Sequence, residues 1–268
     1  MIHRAIEERI HNALAKKKAV TIMGPRQVGK STLADAIIPK DARILEINGD
    51  NTDVQTMFIN VDEAKMKVLI GNKNFLFVDE AQKIENVGNM LKIVAEKFKD
   101  VKIIVTGSSA FKLAEAVNES LTGRKREFRL YPLSFKEMAD ETSTLEESRM
   151  IDHRLIYGYY PEVVTSPGDE KEVLKELIDS YLYKDVMEEN NIAKPDKLVK
   201  LVQALAFQIG STVSANELAG LVGIDAKTVG TAVIYVNMKE TTDGENTYNA
   251  TPIKITIHVL PRPFDETK

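Results

Sequence analysis

Eight consecutive residues near the start of the chain have the types and spacing of a phosphate-binding loop. Their pattern is G-x-x-x-x-G-K-[ST], with an apolar strand predicted at 19–23 and a helix at 32–38. The two glycines let the backbone turn its N–H groups toward phosphate oxygens, and the helix adds the partial positive charge of its N-terminus. The residues of this predicted phosphate loop are Gly24, Pro25, Arg26, Gln27, Val28, Gly29, Lys30 and Ser31.

The polar side chains at the end of this loop have separate predicted roles. Lys30 is placed to reach the β- and γ-phosphates of a nucleotide, and the Ser31 hydroxyl to ligate Mg²⁺. Thr32, the next residue, is also expected at the nucleotide. The alternative, a glycine turn with a surface lysine, does not explain the strand before the loop and the helix after it.

Two acids follow the apolar run FLFV at 75–78. In an α/β sheet the carboxyl ends of the strands face the ligand crevice, where Asp79 fits a carboxylate that holds Mg²⁺. Glu80 is then the candidate base that polarises the attacking water. Taken alone, an Asp-Glu pair after a strand is more often the N-cap of a helix, and the phosphate loop is what favours the catalytic interpretation.

Two further segments carry candidate residues. The strand at 101–106 ends in small hydroxylated residues, so Thr106 or Ser108 is predicted to bond the γ-phosphate or the lytic water, while Ser108 also fits the cap of a helix at 109–118. The cluster 122–129 is basic, and Arg124 is the candidate arginine finger. A solvated surface and a nucleic-acid patch are the alternatives for this cluster. The four histidines show no ligand spacing that predicts a metal site.

Strand and helix patterns alternate over the first half of the chain. Strands are predicted at 19–23, 42–47, 75–78, 101–106 and 127–131, with amphipathic helices at 1–16 and 86–98. This alternation predicts an α/β fold, a P-loop NTPase parallel sheet with helices on both faces. After Pro132 the segments 134–140, 145–157, 169–188 and 195–209 favour helix, separated by Pro161, Pro167-Gly168 and Pro195.

The C-terminal part has two further patterns. Residues 214–230 fit two short helices around Gly223, as in a helix-turn-helix, with a recognition helix near 226–236. Alternating apolar residues at 253–259 predict a strand, and Asp243-Gly244 a hairpin turn back onto 232–238. The predicted organisation is an ATPase domain at 1–135, a helical lid at 136–194, a winged-helix-like module at 195–240 and a short atypical tail with a β-hairpin strand at 241–268.

Composition limits the class of protein. A length of 268 residues favours about two domains. The net charge of −4 and pI near 5.7 argue against nucleic acid as the main partner. No apolar run reaches the roughly 18 residues of a membrane span, and the N-terminus lacks a signal-peptide core. The absence of cysteine excludes a disulfide framework and a thiol nucleophile, and a cytoplasmic location is expected.

Several motifs together resemble the prokaryotic AAA+-type ATPases that carry a helix-turn-helix and a C-terminal domain of unknown function. The resemblance covers about residues 1–229. It implies that strand 101–106 lies between the strand before the phosphate loop and the strand before Asp79. It also implies that Asp79 is the Mg²⁺-associated acid, Glu80 the catalytic base and 106–108 the sensor, while Arg124 matches the Gly-Arg step. The motifs are GPRQVGKSTL (24–33), FLFVDEAQKI (75–84), VTGSSAFKL (105–113), LTGRKREFRLYPLSFKE (121–137), YGYYPEVV (157–164) and YLYKDV (181–186).

The sequence also departs from the family pattern. Ser31 replaces the usual threonine and keeps the hydroxyl, and Tyr159 stands where a second glycine is common. The resemblance implies an apolar helix and a nuclease-like domain after Val229, but residues 231–268 have a different pattern. A nuclease function is therefore not carried over to this chain.

These residues together predict Mg²⁺-dependent ATP binding and hydrolysis that drives a conformational switch. A nucleotide-controlled DNA-binding regulator and a small-molecule kinase are the alternatives. A kinase needs an arginine-rich closing lid, and the pair Asp79 and Glu80 with the 106–108 sensor fits hydrolysis better. Besides ATP, a second copy of the chain and a protein or DNA bound through the helix-turn-helix are the expected partners, and a membrane is not expected.

Overall fold

The computed structural model describes residues 2–108, 121–179, 195–208 and 214–223, together with four C-terminal strands. The chain divides into two compact units, Met1–Val173 and Leu174–Lys268. The division into four regions expected from the sequence stays a prediction.

A five-stranded parallel sheet forms the centre of the first unit. Its spatial order is β2-β3-β4-β1-β5. The predicted strand 101–106 therefore lies, as β4, between β1 and β3, and the predicted strand 127–131 is the edge strand β5. The strands are β1 (Ala19–Met23), β2 (Ile44–Asn48), β3 (Phe75–Asp79), β4 (Lys102–Gly107) and β5 (Lys125–Arg129).

Alternate residues of the central strands pack on opposite faces of the sheet, as the period of two requires. On one face Val20 and Ile22 of β1 join the apolar residues of α1 (Glu7–Ala15) and α2 (Lys30–Ile37). On the other face Ala19 and Met23 join those of α4 (Glu63–Ile70) and α5 (Val87–Lys97). The predicted α/β fold with helices on both faces is confirmed.

Two helices of the first unit were not predicted from the sequence. They are α3 (Thr52–Met57) and α4, which together follow β2 and lead to β3. A 3₁₀ turn, Ala81–Lys83, follows β3 directly. Helix α5 agrees with the predicted amphipathic helix 86–98, and Val87, Met90, Leu91 and Val94 are buried as expected.

Short helices follow the sheet in the first unit. Helix α6 begins with a capping box in which the Ser134 side chain and the Glu137 side chain satisfy each other's backbone N–H groups. The predicted helix 145–157 is interrupted at Met150, and Pro161 begins a helix, contrary to its predicted role as a separator, because proline is well suited to the first helical turn. These helices are α6 (Phe135–Glu141), α7 (Thr144–Arg149), α8 (Ile151–Tyr157) and α9 (Pro161–Thr165). Helix α10 (Glu170–Leu177) contains the division between the two units, after Val173.

Two helices of the second unit are joined by a lysine contact. Helix α11 (Pro195–Ala206) lies against α12 (Ala215–Val222), and the Lys197 ammonium donates to the Val222 carbonyl at 2.9 Å. Gly223 ends α12 in the left-handed conformation, as the turn of the predicted helix-turn-helix requires. The second helix of that motif begins outside the described residues, so the winged-helix-like module stays a prediction.

The prediction of a recognition helix near 226–236 is wrong for its second half, which forms a strand. Residues Thr231–Val236 form β6, which pairs antiparallel with β9 (Ile253–His258). The run TAVIYV is rich in β-branched residues, and strand propensity prevails over the helical interpretation. Strands β7 (Thr241–Asp243) and β8 (Asn246–Tyr248) form a second antiparallel pair on either side of the predicted turn at 243–244.

Other predictions fall where the structure gives no description. These are the helix 109–118, the end of the helix 169–188 with the motif at 181–186, and residues 224–230. Within the ranges described, no helix is both long enough and apolar enough to cross a membrane.

Candidate functional site

The phosphate loop joins β1 to α2 in a conformation that depends on its glycines. A Cβ at Gly24 would lie 2.3 Å from the Leu130 carbonyl oxygen, so no larger residue fits there. Gly29 has φ +92° and stands immediately before α2, whose N-terminus thus faces the loop. Gln27 also adopts a left-handed conformation, with φ 54°. Such a backbone is costly for a non-glycine residue and indicates a loop held by its surroundings.

Lys30 lies inside this loop, with a side chain that is only 4% exposed. Its ammonium donates to the Pro25 carbonyl at 3.0 Å and lies 3.7 Å from Glu80 Oε1. Burial lowers the pKa of Lys30, although the charges of Glu80 and Asp79 raise it in part. The protonated lysine is therefore incompletely stabilised by its present surroundings, and a further negative group beside it would raise its pKa.

Asp79 connects the loop to two strands at the carboxyl edge of the sheet. Its Oδ2 accepts a hydrogen bond from the Ser31 hydroxyl at 2.9 Å. Its Oδ1 accepts from the Thr106 hydroxyl of β4 and from the Glu80 backbone N–H. The structure thus brings Ser31, Asp79 and Thr106 together, as the sequence predicts.

Glu80 begins the 3₁₀ turn in a left-handed conformation with φ 47°. Its Oε1 faces the Lys30 ammonium. Its Oε2 accepts a hydrogen bond from the Gln82 amide at 2.5 Å and another from the Ser108 hydroxyl at 3.2 Å. The predicted base and the predicted sensor are therefore in direct contact. Both oxygens of this carboxylate therefore face donor groups of the protein.

Two residues of the site were missed in the sequence. Gln82 donates to both Glu80 and Ser108, at 2.5 and 2.9 Å, and so fixes their separation. Gly49 follows β2, and a Cβ there would lie 2.3 Å from the Glu80 carbonyl oxygen. The signals available were an amide two residues after Glu80 and a glycine two residues after the predicted strand 42–47.

The oxygen ligands of the site fit a magnesium ion. Mg²⁺ is usually bound by one or two protein oxygens, with phosphates and waters completing its coordination. The Ser31 hydroxyl and the Asp79 carboxylate are such oxygens and lie in hydrogen-bond contact. Over the described residues there is no group of three or more histidine or acidic side chains placed to hold a metal, so these two are the protein ligands to consider.

The remaining predicted loop residues differ in their surroundings. The side chains of Pro25, Gln27 and Thr32 are exposed beside the loop. Arg26 is near enough that its charge lowers the pKa of Lys30. Val28 is fully buried in the core beneath the loop, so only its backbone is available to a ligand.

The structure does not bring Arg124 to this site within one chain. The Arg124 carbonyl accepts from Ala19 N–H, where β1 begins, whereas the phosphate loop follows Met23, where β1 ends. Five strand residues at about 3.3 Å each separate the two edges by about 17 Å. The Arg124 guanidinium instead pairs with Glu96 at 2.7 Å. An arginine finger acting in its own chain is therefore wrong, and a role at the site of a neighbouring subunit stays a prediction.

Comparison with known families agrees with this geometry. Residues 16–139 match the AAA domain family. This segment contains every residue of the site described above. Residues 148–237 match a domain of unknown function. The first match and the sheet together indicate that residues 16–139 have the fold of the AAA-type P-loop ATPases.

The related proteins have no described activity. An uncharacterized protein of Methanocaldococcus jannaschii is 27% identical over 81% of this chain and 53% of its own length. One of Haemophilus influenzae is 28% identical over 55% of this chain and 38% of its own length. The chain thus spans about half or less of these relatives.

A signal transduction ATPase with numerous domains and a tetratricopeptide repeat sensor, from Pyrococcus horikoshii, is a structural neighbour. It is 13% identical, with a TM-score of 0.44, over 76% of this chain and 34% of that one.

The contact at Gly49 gives a stability prediction. Gly49→Ala should lower the free energy of unfolding by about 1–3 kcal/mol, because the new methyl group meets the Glu80 carbonyl. Gly220→Ala in α12 is the control, since no described atom beyond its own helix backbone lies within 4 Å of the added carbon. That control should be neutral or stabilise by up to about 1 kcal/mol. Denaturant unfolding measures both, and equal effects would contradict the steric argument.

Proposed function

We propose that this protein binds ATP with Mg²⁺ and hydrolyses it, and that hydrolysis drives a conformational switch. The observation that carries the proposal is the convergence of a buried lysine, the Ser31–Asp79 pair and the Glu80 carboxylate at one edge of the sheet. The match of residues 16–139 to the AAA domain family supports it.

Binding rests on the loop and on Lys30. Backbone N–H groups of a glycine loop and the N-terminus of α2 attract phosphate oxygens. The Lys30 ammonium, now bonded to the Pro25 carbonyl, exchanges this neutral partner for a charged β- or γ-phosphate oxygen. Ser31 and Asp79 would hold Mg²⁺, which would neutralise part of the phosphate charge.

Hydrolysis is assigned to Glu80. Water attacks the γ-phosphorus and the bond to the β–γ bridging oxygen breaks, giving ADP and phosphate. Glu80 accepts the proton that the water loses, and Gln82 and Ser108 hold its carboxylate in place. Thr106 is assigned a positioning role, since its hydroxyl donates to the Asp79 carboxylate and accepts from the Glu80 backbone N–H.

The first prediction of this proposal concerns Lys30. Lys30→Ala should weaken ATP binding at least about tenfold, since it removes the side-chain cation from the phosphates. Lys40→Ala, an exposed lysine just after α2, is the control and should bind like the parent. Calorimetric titration with ATP and Mg²⁺ measures both. Equal affinity in the two variants would overturn the assignment of the loop.

The second prediction separates the two acids. Glu80→Gln should bind ATP normally but lower kcat by about 100-fold or more, because the amide cannot accept the proton. Asp79→Asn should instead weaken the Mg²⁺-dependent part of ATP binding, and Glu85→Gln, at an exposed acid nearby, should behave like the parent. Steady-state phosphate release and titration at several Mg²⁺ concentrations distinguish them. Normal turnover by Glu80→Gln would place the base elsewhere.

The third prediction concerns Arg124, which we propose to act at the site of a neighbouring subunit. ATPase rate per chain should then rise with protein concentration, and Arg124→Ala should lower kcat about 1000-fold with little change in ATP affinity. Mixing Arg124→Ala with Lys30→Ala chains should restore part of the rate, because some interfaces then pair an intact loop with an intact arginine.

The pair with Glu96 provides the control for Arg124. Glu96→Gln removes the same intrachain ion pair and keeps the arginine. If it lowers the rate as much as Arg124→Ala, or if mixing restores nothing, the loss of rate comes from the broken ion pair and a role at the neighbouring site is wrong.

A further inference from the structure

We propose that Arg4 is a positioning residue that fixes the phosphate loop and couples it to the start of α6. This inference rests on the proposed function, since the loop it fixes is the ATP-binding loop. Arg4 lies ahead of α1 in a part of the chain to which the sequence assigned no chemistry. It acts through the backbone of the loop and touches no reacting atom.

The guanidinium of Arg4 is buried and bonds three separate segments. Arg4 as a whole is 7% exposed. Its Nη1 donates to the Val28 carbonyl at 3.0 Å, and its Nη2 to the Tyr131 carbonyl at 2.5 Å. Its Nε donates to Glu137 Oε1 at 3.3 Å. A single rigid fork therefore joins the phosphate loop, the segment after β5 and α6.

The bond to Val28 has a direct consequence for phosphate binding. In a trans peptide the C=O of one residue and the N–H of the next point in opposite directions. Holding the Val28 carbonyl on Arg4 therefore turns the Gly29 N–H away from Arg4. Gly29 has no side chain and φ +92°, so its peptide would otherwise rotate easily. Arg4 thus preorganises one of the N–H groups that a phosphate needs, directly before Lys30.

Glu137, the acidic partner of Arg4, is itself held by backbone hydrogen bonds. Glu137 Oε1 also accepts from the Ala5 N–H at 2.9 Å, and Oε2 accepts from the Ser134 N–H at 2.7 Å. Burial raises the pKa of Glu137, but the bonds from Ala5 and Ser134 and the charge of Arg4 outweigh it and lower the pKa. Glu137 is therefore ionised at neutral pH and holds both the guanidinium and the first turn of α6.

These contacts make a mechanical link between the site and the helices that follow the sheet. A shift of the Val28–Gly29 peptide when a nucleotide binds or leaves must move or break the Arg4 bonds. Because the same guanidinium holds Tyr131 and Glu137, the shift reaches the start of α6. By linkage, if nucleotide binding changes an equilibrium at α6 by some factor, that change at α6 alters nucleotide affinity by the same factor.

The experiment compares four single variants of the full chain and the double variant Arg4→Ala/Glu137→Gln. Arg4→Ala removes the fork, and Arg4→Lys keeps a charge for Glu137 without the fork. Glu137→Gln keeps an acceptor without the charge. Arg9→Ala is the matched control, an exposed arginine of α1 that lies over the Phe128 ring, away from the loop. Melting temperature, the KM and kcat for ATP, and amide exchange of residues 24–31 without nucleotide are measured for each.

Arg4→Ala should raise the KM for ATP about tenfold or more, with a smaller effect on kcat, and speed exchange of the loop amides about tenfold. Exchange in β3 should stay at the parental rate. Arg4→Lys should recover most of the melting temperature but not the KM, while Arg9→Ala should match the parent within about twofold. The effects of Arg4→Ala and Glu137→Gln should be less than additive when combined, because both break one network.

Two results would overturn the proposal. One is loop exchange and KM at parental values in the folded Arg4→Ala variant. The other is full rescue of every measure by lysine, which indicates a role in stability alone. If the parent itself does not bind ATP, the proposed function fails, whereas the exchange comparison without nucleotide still tests whether Arg4 holds the loop.

Discussion

The carboxylate of Asp79 makes the contacts on which the rest of the candidate site depends. It accepts hydrogen bonds from Ser31 at the end of the loop, from Thr106 on β4 and from the backbone of Glu80. These groups can meet only because β4 lies between β1 and β3 and all three strands run in the same direction. A partly buried carboxylate is costly unless its oxygens are bonded, so this set of bonds fixes the register of three strand ends. The positions of Glu80, Gln82 and Ser108 follow from it.

The parts of the site that the sequence predicted are those encoded by neighbouring residues. The phosphate loop, the acids after β3 and the hydroxyls after β4 each follow an apolar run, and a strand end is a local signal. Gly49 could not be assigned in this way, because its importance comes from the Glu80 carbonyl just after β3, 31 positions along the chain. The run 231–236 was assigned to both a helix and a hairpin, and its pairing with 253–258 decided for the strand.

Two arginines show that local sequence does not predict which arginine contacts the phosphate loop. Arg124 was selected because it follows a glycine in a basic cluster, yet it lies at the amino edge of the sheet beside Glu96. Arg4 was not selected, because a single arginine at the start of an amphipathic helix resembles a solvated residue. Its partners Val28, Tyr131 and Glu137 are 24, 127 and 133 positions away. The local charge pattern therefore selected an arginine that does not reach the loop of its own chain and missed the one that does.

The charges around Lys30 connect nucleotide binding to the metal. Burial lowers the pKa of Lys30, and the charges of Glu80 and Asp79 oppose this effect, so both carboxylates lie near the lysine that the proposal assigns to the phosphates. Arg26 and Lys30 balance these two acids in number, so the protein offers little net positive charge to a triphosphate. Under the proposed function, the remaining repulsion must be met by the loop N–H groups, the α2 N-terminus and a divalent cation. Under the same proposal, Asp79 disfavours the bare nucleotide and recruits the ion that offsets this cost, so nucleotide affinity is expected to depend on Mg²⁺.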